Sequence, residues 1–70
     1  MSNLTPRQQS ILDFIRKYIA KKGYSPSIQE ITDGVGLVST GNVHRVVKVL
    51  QDKGHIDRED NIQRTIRVIG

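Results

Sequence analysis

The stretch Ser39-Thr-Gly-Asn-Val-His-Arg-Val-Val-Lys-Val-Leu-Gln-Asp-Lys-Gly54 decides how this chain is read. Taken at 100° per residue, it has two faces. Val43, Val46, Val47 and Leu50 recur at i, i+3, i+4 and i+7 and form one apolar stripe. Gly41, His44, Arg45 and Lys48 lie on the opposite side, where every residue is small, cationic or titratable and none is acidic before Asp52. Ser39 is placed to cap the helix through its hydroxyl. Gly54 is placed to stop it, with Lys53 near the negative end of the helix dipole. An amphipathic helix with a basic outer face, in a basic chain, suits the major groove of DNA. The plainer alternative is the solvated face of an ordinary core helix.

Upstream, Thr5-Pro-Arg-Gln8 opens a first helix: Thr5 caps, Pro6 suits the first helical position, and Gln8 completes a capping box. Ile11, Leu12, Phe14, Ile15, Tyr18 and Ile19 give it a broad apolar face, and Gly23 ends it. Tyr24-Ser-Pro26 reads as a connector, because the residue before proline avoids helix. Ser27-Ile-Gln-Glu30 is a second capping box, opening a short helix with Ile28, Ile31 and Val35 inward. Gly34 and Gly36 bring it to an end near Val35. Two helices joined by a tight glycine-containing turn make a helix-turn-helix. Beyond Gly54 the period changes to alternation. His55–Arg58 and Ile62–Ile69 read as strands around the turn residues Glu59, Asp60 and Asn61, with Ile66 and Val68 inward and Thr65 and Arg67 outward. The predicted fold is mainly α with a small β-hairpin: a three-helix winged helix-turn-helix, with helices over 5–22, 28–35 and 40–53 and a hairpin within 55–69.

The seventy residues, 1–70, make a single domain with a small core, since a chain of this size buries only about 60% of its unfolded surface. There is no cysteine, so neither disulfides nor thiolate–metal sites brace it. No apolar run approaches the roughly 18 residues of a membrane span, and the N-terminus has no signal-peptide core; a cytoplasmic protein follows by default. Eleven Lys and Arg against seven Asp and Glu give a net charge of +4, which favours an acidic partner. No catalytic constellation assembles. Two histidines, His44 and His55, are too few for zinc without cysteine, and no phosphate loop exists, because Gly34-Val-Gly36 lacks the further glycine and the lysine. The reading is a binding module, not an enzyme, with no cofactor and no metal.

The order of these elements resembles the N-terminal DNA-binding domain of the LexA repressor family. The resemblance lies in Leu4-Thr-Pro-Arg-Gln-Gln9, Ile15-Arg16, Pro26-Ser27, Glu30-Ile31, Gly36-Leu37, Ser39, Lys48, Leu50, Lys53-Gly54-x-Ile56 and Arg64-x-Ile66-Arg67. It spans essentially the whole chain in a similar register. It implies a winged helix-turn-helix that binds operator DNA through its third helix. In that family two domains bind the halves of a palindrome, and the full repressor cleaves itself in the DNA-damage (SOS) response. That self-cleavage, like dimerisation, resides in a C-terminal serine–lysine protease domain that these seventy residues do not hold. The expectation is a stand-alone small regulator or an excised domain, such as the severed front of a self-cleaving repressor. Where the family typically carries Asn, Ala and two glutamates, this chain has Gly41, Asn42, His44 and Arg45, which shifts the base contacts from accepting to mainly donating. Glu59 and Asp60 at the wing tip would repel phosphates and leave Asn61 and Arg64 to make any contact there.

The candidate DNA-binding residues are therefore Ser27, Ser39, Thr40, Gly41, Asn42, His44, Arg45, Lys48 and Arg64. Arg45 has a planar fork that can donate twice to guanine, and Asn42 can pair with adenine. His44 binds a base or a phosphate, or is merely exposed. Gly41 lets the backbone approach the groove, or is a neutral first-turn residue. Ser39 and Thr40 reach phosphates, or Ser39 is a plain cap. Lys48 contacts phosphate or is solvated. The amides around Ser27 to Gln29, and Arg64, hold phosphates. The expected partner is double-stranded DNA, a palindromic operator, with the isolated chain monomeric and dimerising, if at all, on DNA. No heptad seam is left for a coiled coil. The rival reading is a winged-helix interaction module that docks on a repressor or polymerase subunit.

Overall fold

The computed structural model describes residues 4–59 and 65–69. Three helices come first: α1 (Pro6–Lys22), α2 (Ile28–Gly34) and α3 (Thr40–Asp52). Two short strands follow, β1 (Ile56–Asp57) and β2 (Arg67–Val68), paired antiparallel with Ile56 opposite Val68 and Asp57 opposite Arg67. This is a winged helix-turn-helix, as the sequence predicts.

Local chemistry accounts for the helix bounds. Gln8 N donates to Thr5 Oγ1 at 3.2 Å while Thr5 N donates to Gln8 Oε1 at 3.0 Å, so the first capping box closes in both directions. The second box closes likewise: Glu30 N donates to Ser27 Oγ at 3.2 Å and Ser27 N to Glu30 Oε1 at 2.9 Å. The turn after α2 needs a left-handed residue, which Gly36 supplies at φ 77°. Gly54 does the same at φ 83° between α3 and β1.

The third helix departs from expectation at its start. Ser39 is the N-cap residue by position, but its side chain makes no capping hydrogen bond. Its backbone is extended but sits at φ −108°, ψ 121°, away from the φ −68°, ψ 160° of Thr5 and the φ −80°, ψ 166° of Ser27, so the backbone that aims the hydroxyl differs as well. Two of the three helices are thus closed by side chains at their N-termini, and α3 is not.

The core is one cluster of Ile11, Leu12, Ile15, Ile31, Val43, Val47, Leu50, Ile56 and Ile66. It draws on α1, α2, α3 and β1 and on Ile66, just before β2, with α3 packed against both α1 and α2. Val46 and Val68 pack at its edge, and Arg67 faces out, in keeping with the predicted alternation. The first strand is shorter than the predicted 55–58, and among the described residues 65–69 of the predicted second strand only Arg67 and Val68 are strand. Past Asp57 the Thr65 hydroxyl takes over from the backbone ladder, accepting from Glu59 N at 3.0 Å and donating to Glu59 O at 3.3 Å. Residues 60–64, with the predicted tip residues Asp60 and Asn61, lie outside the described residues.

Two tertiary contacts carry no periodic signal in the sequence. Ser25 is buried; its hydroxyl donates to Pro26 O at 2.9 Å and accepts from Ile66 N at 3.2 Å, joining the α1–α2 connection to the wing. Gly34 lies against Phe14, and a Cβ there would stand 2.1 Å from the ring's Cε2. Exchanging glycine for alanine in a helix ordinarily gains up to about 1 kcal/mol. Here the aromatic ring must swing away from its packing, and overpacking of that kind costs roughly 1–3 kcal/mol. Gly34→Ala is therefore expected to lower the urea midpoint. A raised midpoint would mean that Phe14 moves aside without loss.

Candidate nucleic-acid interface

The helix α3 presents its outer face as the sequence arranges it. Val43, Val47 and Leu50 are fully buried, which turns Gly41, Asn42, His44, Arg45 and Lys48 outward, and all five are exposed. At 100° per residue, Gly41, His44, Arg45 and Lys48 share an arc of about 100°, and Asn42 stands about 60° beyond Arg45. Asp52 returns to the same face one turn after Lys48 and is also exposed. The cationic part of the face therefore belongs to the first three turns. A helix about 10–12 Å across fits a major groove about 12 Å wide.

The start of α3 leads this face. No side chain caps its first amides and its first turn holds no acid, so the positive end of the helix dipole is not offset locally. Ser39 is exposed and Thr40 half-buried. At Gly41 an added Cβ would meet nothing closer than Ser39 Oγ, at 3.4 Å, an ordinary contact. The fold does not demand glycine at this position, although glycine costs helix propensity. What the glycine leaves is bare backbone on the outer face.

Ser27 is differently placed. Its amide and hydroxyl are both engaged in the capping box of α2, and the Glu30 carboxylate stands at the mouth of that helix. That carboxylate is held a second time, accepting from Tyr18 Oη at 3.0 Å. A phosphate approaching Ser27 therefore meets a fixed negative charge, a competition the capping-box pattern alone does not reveal. Arg64 lies outside the described residues. On the described part of the wing, Arg67 is ion-paired with Asp57 at 3.0 Å, both well exposed, a kind of pair that contributes about 0–1 kcal/mol.

The histidines do not converge. His44 is exposed on α3, whereas His55 is half-buried beyond Gly54, with its Nε2 buried and without a hydrogen-bond partner among the described residues. Among the described residues no three His, Cys, Asp or Glu side chains gather as a metal site requires. No helix among them is long and apolar enough to cross a membrane.

Comparison with known proteins agrees with this geometry. Residues 1–65 match the family model described as the LexA DNA binding domain. Over all 70 residues the chain is 46% identical to the LexA repressors of Bacillus mycoides (strain KBAB4), Bacillus thuringiensis (strain Al Hakam) and Bacillus anthracis. The match covers 100% of this chain and 34% of each relative, so the chain spans about a third of the length of these curated relatives.

Proposed function

The chain belongs to the LexA DNA-binding domain family, a domain of transcriptional repressors that binds double-stranded DNA, and from that premise we propose that it reads a palindromic operator with α3 in the major groove. One observation carries the placement of α3: its exposed face is free of acid and of large apolar groups from Gly41 to Lys48. Arg45 is the principal base reader and donates twice to guanine O6 and N7; Asn42 reads from the edge of the face. His44 meets a base or a phosphate. Gly41 lets the backbone come close to the duplex. Ser39, Thr40 and the open amides of the first turn hold phosphate, as helix N-termini do. Ser27 and Arg64 complete the backbone contacts, Ser27 through the first-turn amides of α2 and in competition with Glu30.

The domain acts by binding, in the cytoplasm, with no catalytic step of its own. Two copies occupy the two halves of the operator and come together on DNA. The described apolar residues are largely spent on one core, which favours a monomer in isolation. Repression by a whole protein is what the names of the longer relatives state. Docking on a protein subunit is the weaker reading, because α3 offers no exposed apolar patch on which a partner could close.

Selection of binding sites from random duplexes tests the proposal. Enrichment of one symmetric motif supports it; recovery of no motif, with no salt-dependent affinity for any duplex, would overturn it. Lys48 supplies a sharper reading. A phosphate contact releases a counterion without reading sequence, so Lys48→Ala is expected to weaken all duplexes alike and to reduce the salt slope by about one unit. Binding isotherms at several salt concentrations check this. An unchanged slope would make Lys48 a solvated lysine.

A further inference from the structure

Three large apolar residues are exposed among those described: Tyr24 at 51%, Ile69 at 50% and Val38 at 102%. Tyr24 stacks edge-on against Tyr18, and Ile69 continues the wing ladder through its amide to His55 O. Val38 alone is covered by nothing. A lone exposed aliphatic residue is ordinary on a protein surface. Its position here is not ordinary, because it immediately precedes Ser39, the N-cap of the helix assigned to the groove.

A hydrophobic residue just before an N-cap commonly packs on the fourth residue of the helix. Here that residue is Val43, which is fully buried in the core while Val38 is fully exposed, so this packing is not made. Val38 is nevertheless held in place. The turn before it is pinned by Val35 N to Ile31 O at 3.0 Å, Gly36 N to Asp33 O at 3.3 Å and Leu37 N to Thr32 O at 3.0 Å. Leu37 packs against the core. The backbone thus presents a stiff, β-branched apolar group beside the leading edge of a polar and cationic face, with little ordering left to lose on contact.

The major groove offers one apolar group for such a side chain, the 5-methyl of thymine. We propose that Val38 is a specificity-determining residue that packs on a thymine methyl at the edge of the site read by α3. The inference rests on α3 occupying the major groove.

The test uses the complete chain and its selected duplex, with each thymine replaced in turn by deoxyuridine, which removes only the methyl group. One replacement in each half-site is expected to weaken binding about three- to tenfold. Val38→Ala is expected to weaken the parent duplex by a similar factor and to be indifferent to that same replacement. Its thermal midpoint should match the unmodified chain, since the side chain packs on nothing. A selected duplex in which no thymine methyl matters, or in which the sensitivity persists in Val38→Ala, would overturn this inference alone. If Arg45→Ala and Lys48→Ala also left DNA binding untouched, the placement of α3 would fall first.

Discussion

Leu50→Ala is expected to destabilise the fold by about 2–5 kcal/mol, the range for truncating a fully buried leucine. Leu50 is completely buried on the last turn of α3 and belongs to the single core cluster. Its carbonyl also accepts from His55 N at 2.9 Å, where the chain leaves α3 for the wing. A chain of 70 residues has a total stability of roughly 3–10 kcal/mol at the usual increment per residue. The loss is therefore a large share of the whole, and the melting temperature should fall by roughly 10 °C or more. DNA affinity should fall with it wherever the unfolded fraction becomes appreciable. Thermal melting followed by circular dichroism, with a urea titration for the free energy, measures both. A loss under about 1 kcal/mol would mean that the core closes over the missing methyls and that Leu50 is not central to it.

Arg45→Ala should leave that stability almost unchanged, because Arg45 is exposed. Its expected effect is on DNA: a loss of roughly 1–3 kcal/mol on the preferred site, or about 5- to 150-fold in affinity, with relaxed preference at one base pair. Arg45→Glu exchanges a double donor for an acceptor. It should shift the preference at that pair towards cytosine, whose amino group donates, while weakening attraction to the phosphates. Binding to a panel of single-base operator variants at several salt concentrations separates the two effects. Equal weakening on every sequence would make Arg45 a phosphate contact, and the assignment of base reading would pass to Asn42 or His44.

The part of this structure that was legible in advance is the part written in short-range chemistry. Thr5 with Gln8, and Ser27 with Glu30, announce two helix starts three residues apart in sequence, and both boxes close. The valines and Leu50 of α3 settle which side is buried, and with it which side is displayed. Ser39 fits the same lexicon but fails it: its backbone, at φ −108°, ψ 121°, stands away from the angles of Thr5 and Ser27, and residue type does not fix those angles. The contact between Gly34 and Phe14, and that between Glu30 and Tyr18, depend on how α2 lies across α1, which no spacing encodes. Of the candidate DNA contacts, exposure along α3 was readable from periodicity. The exposure of Val38 was not, because it lies in a turn with no period to place it.

The Ser25 hydroxyl bears on how the domain opens. It joins positions 41 residues apart, the α1–α2 connection and the base of the outer wing strand. An isolated hairpin with strands of two residues would fray freely. This one cannot release its outer strand without breaking a buried hydrogen bond and uncovering Ile66, which is only 5% exposed. In the language of hydrogen exchange, the base of the wing is expected to open with the foldon of the three helices rather than on its own. A domain built in this way presents the base of its wing and its third helix together or not at all. A half-open form, able to grip phosphates loosely while its reading helix has melted, is thereby kept scarce.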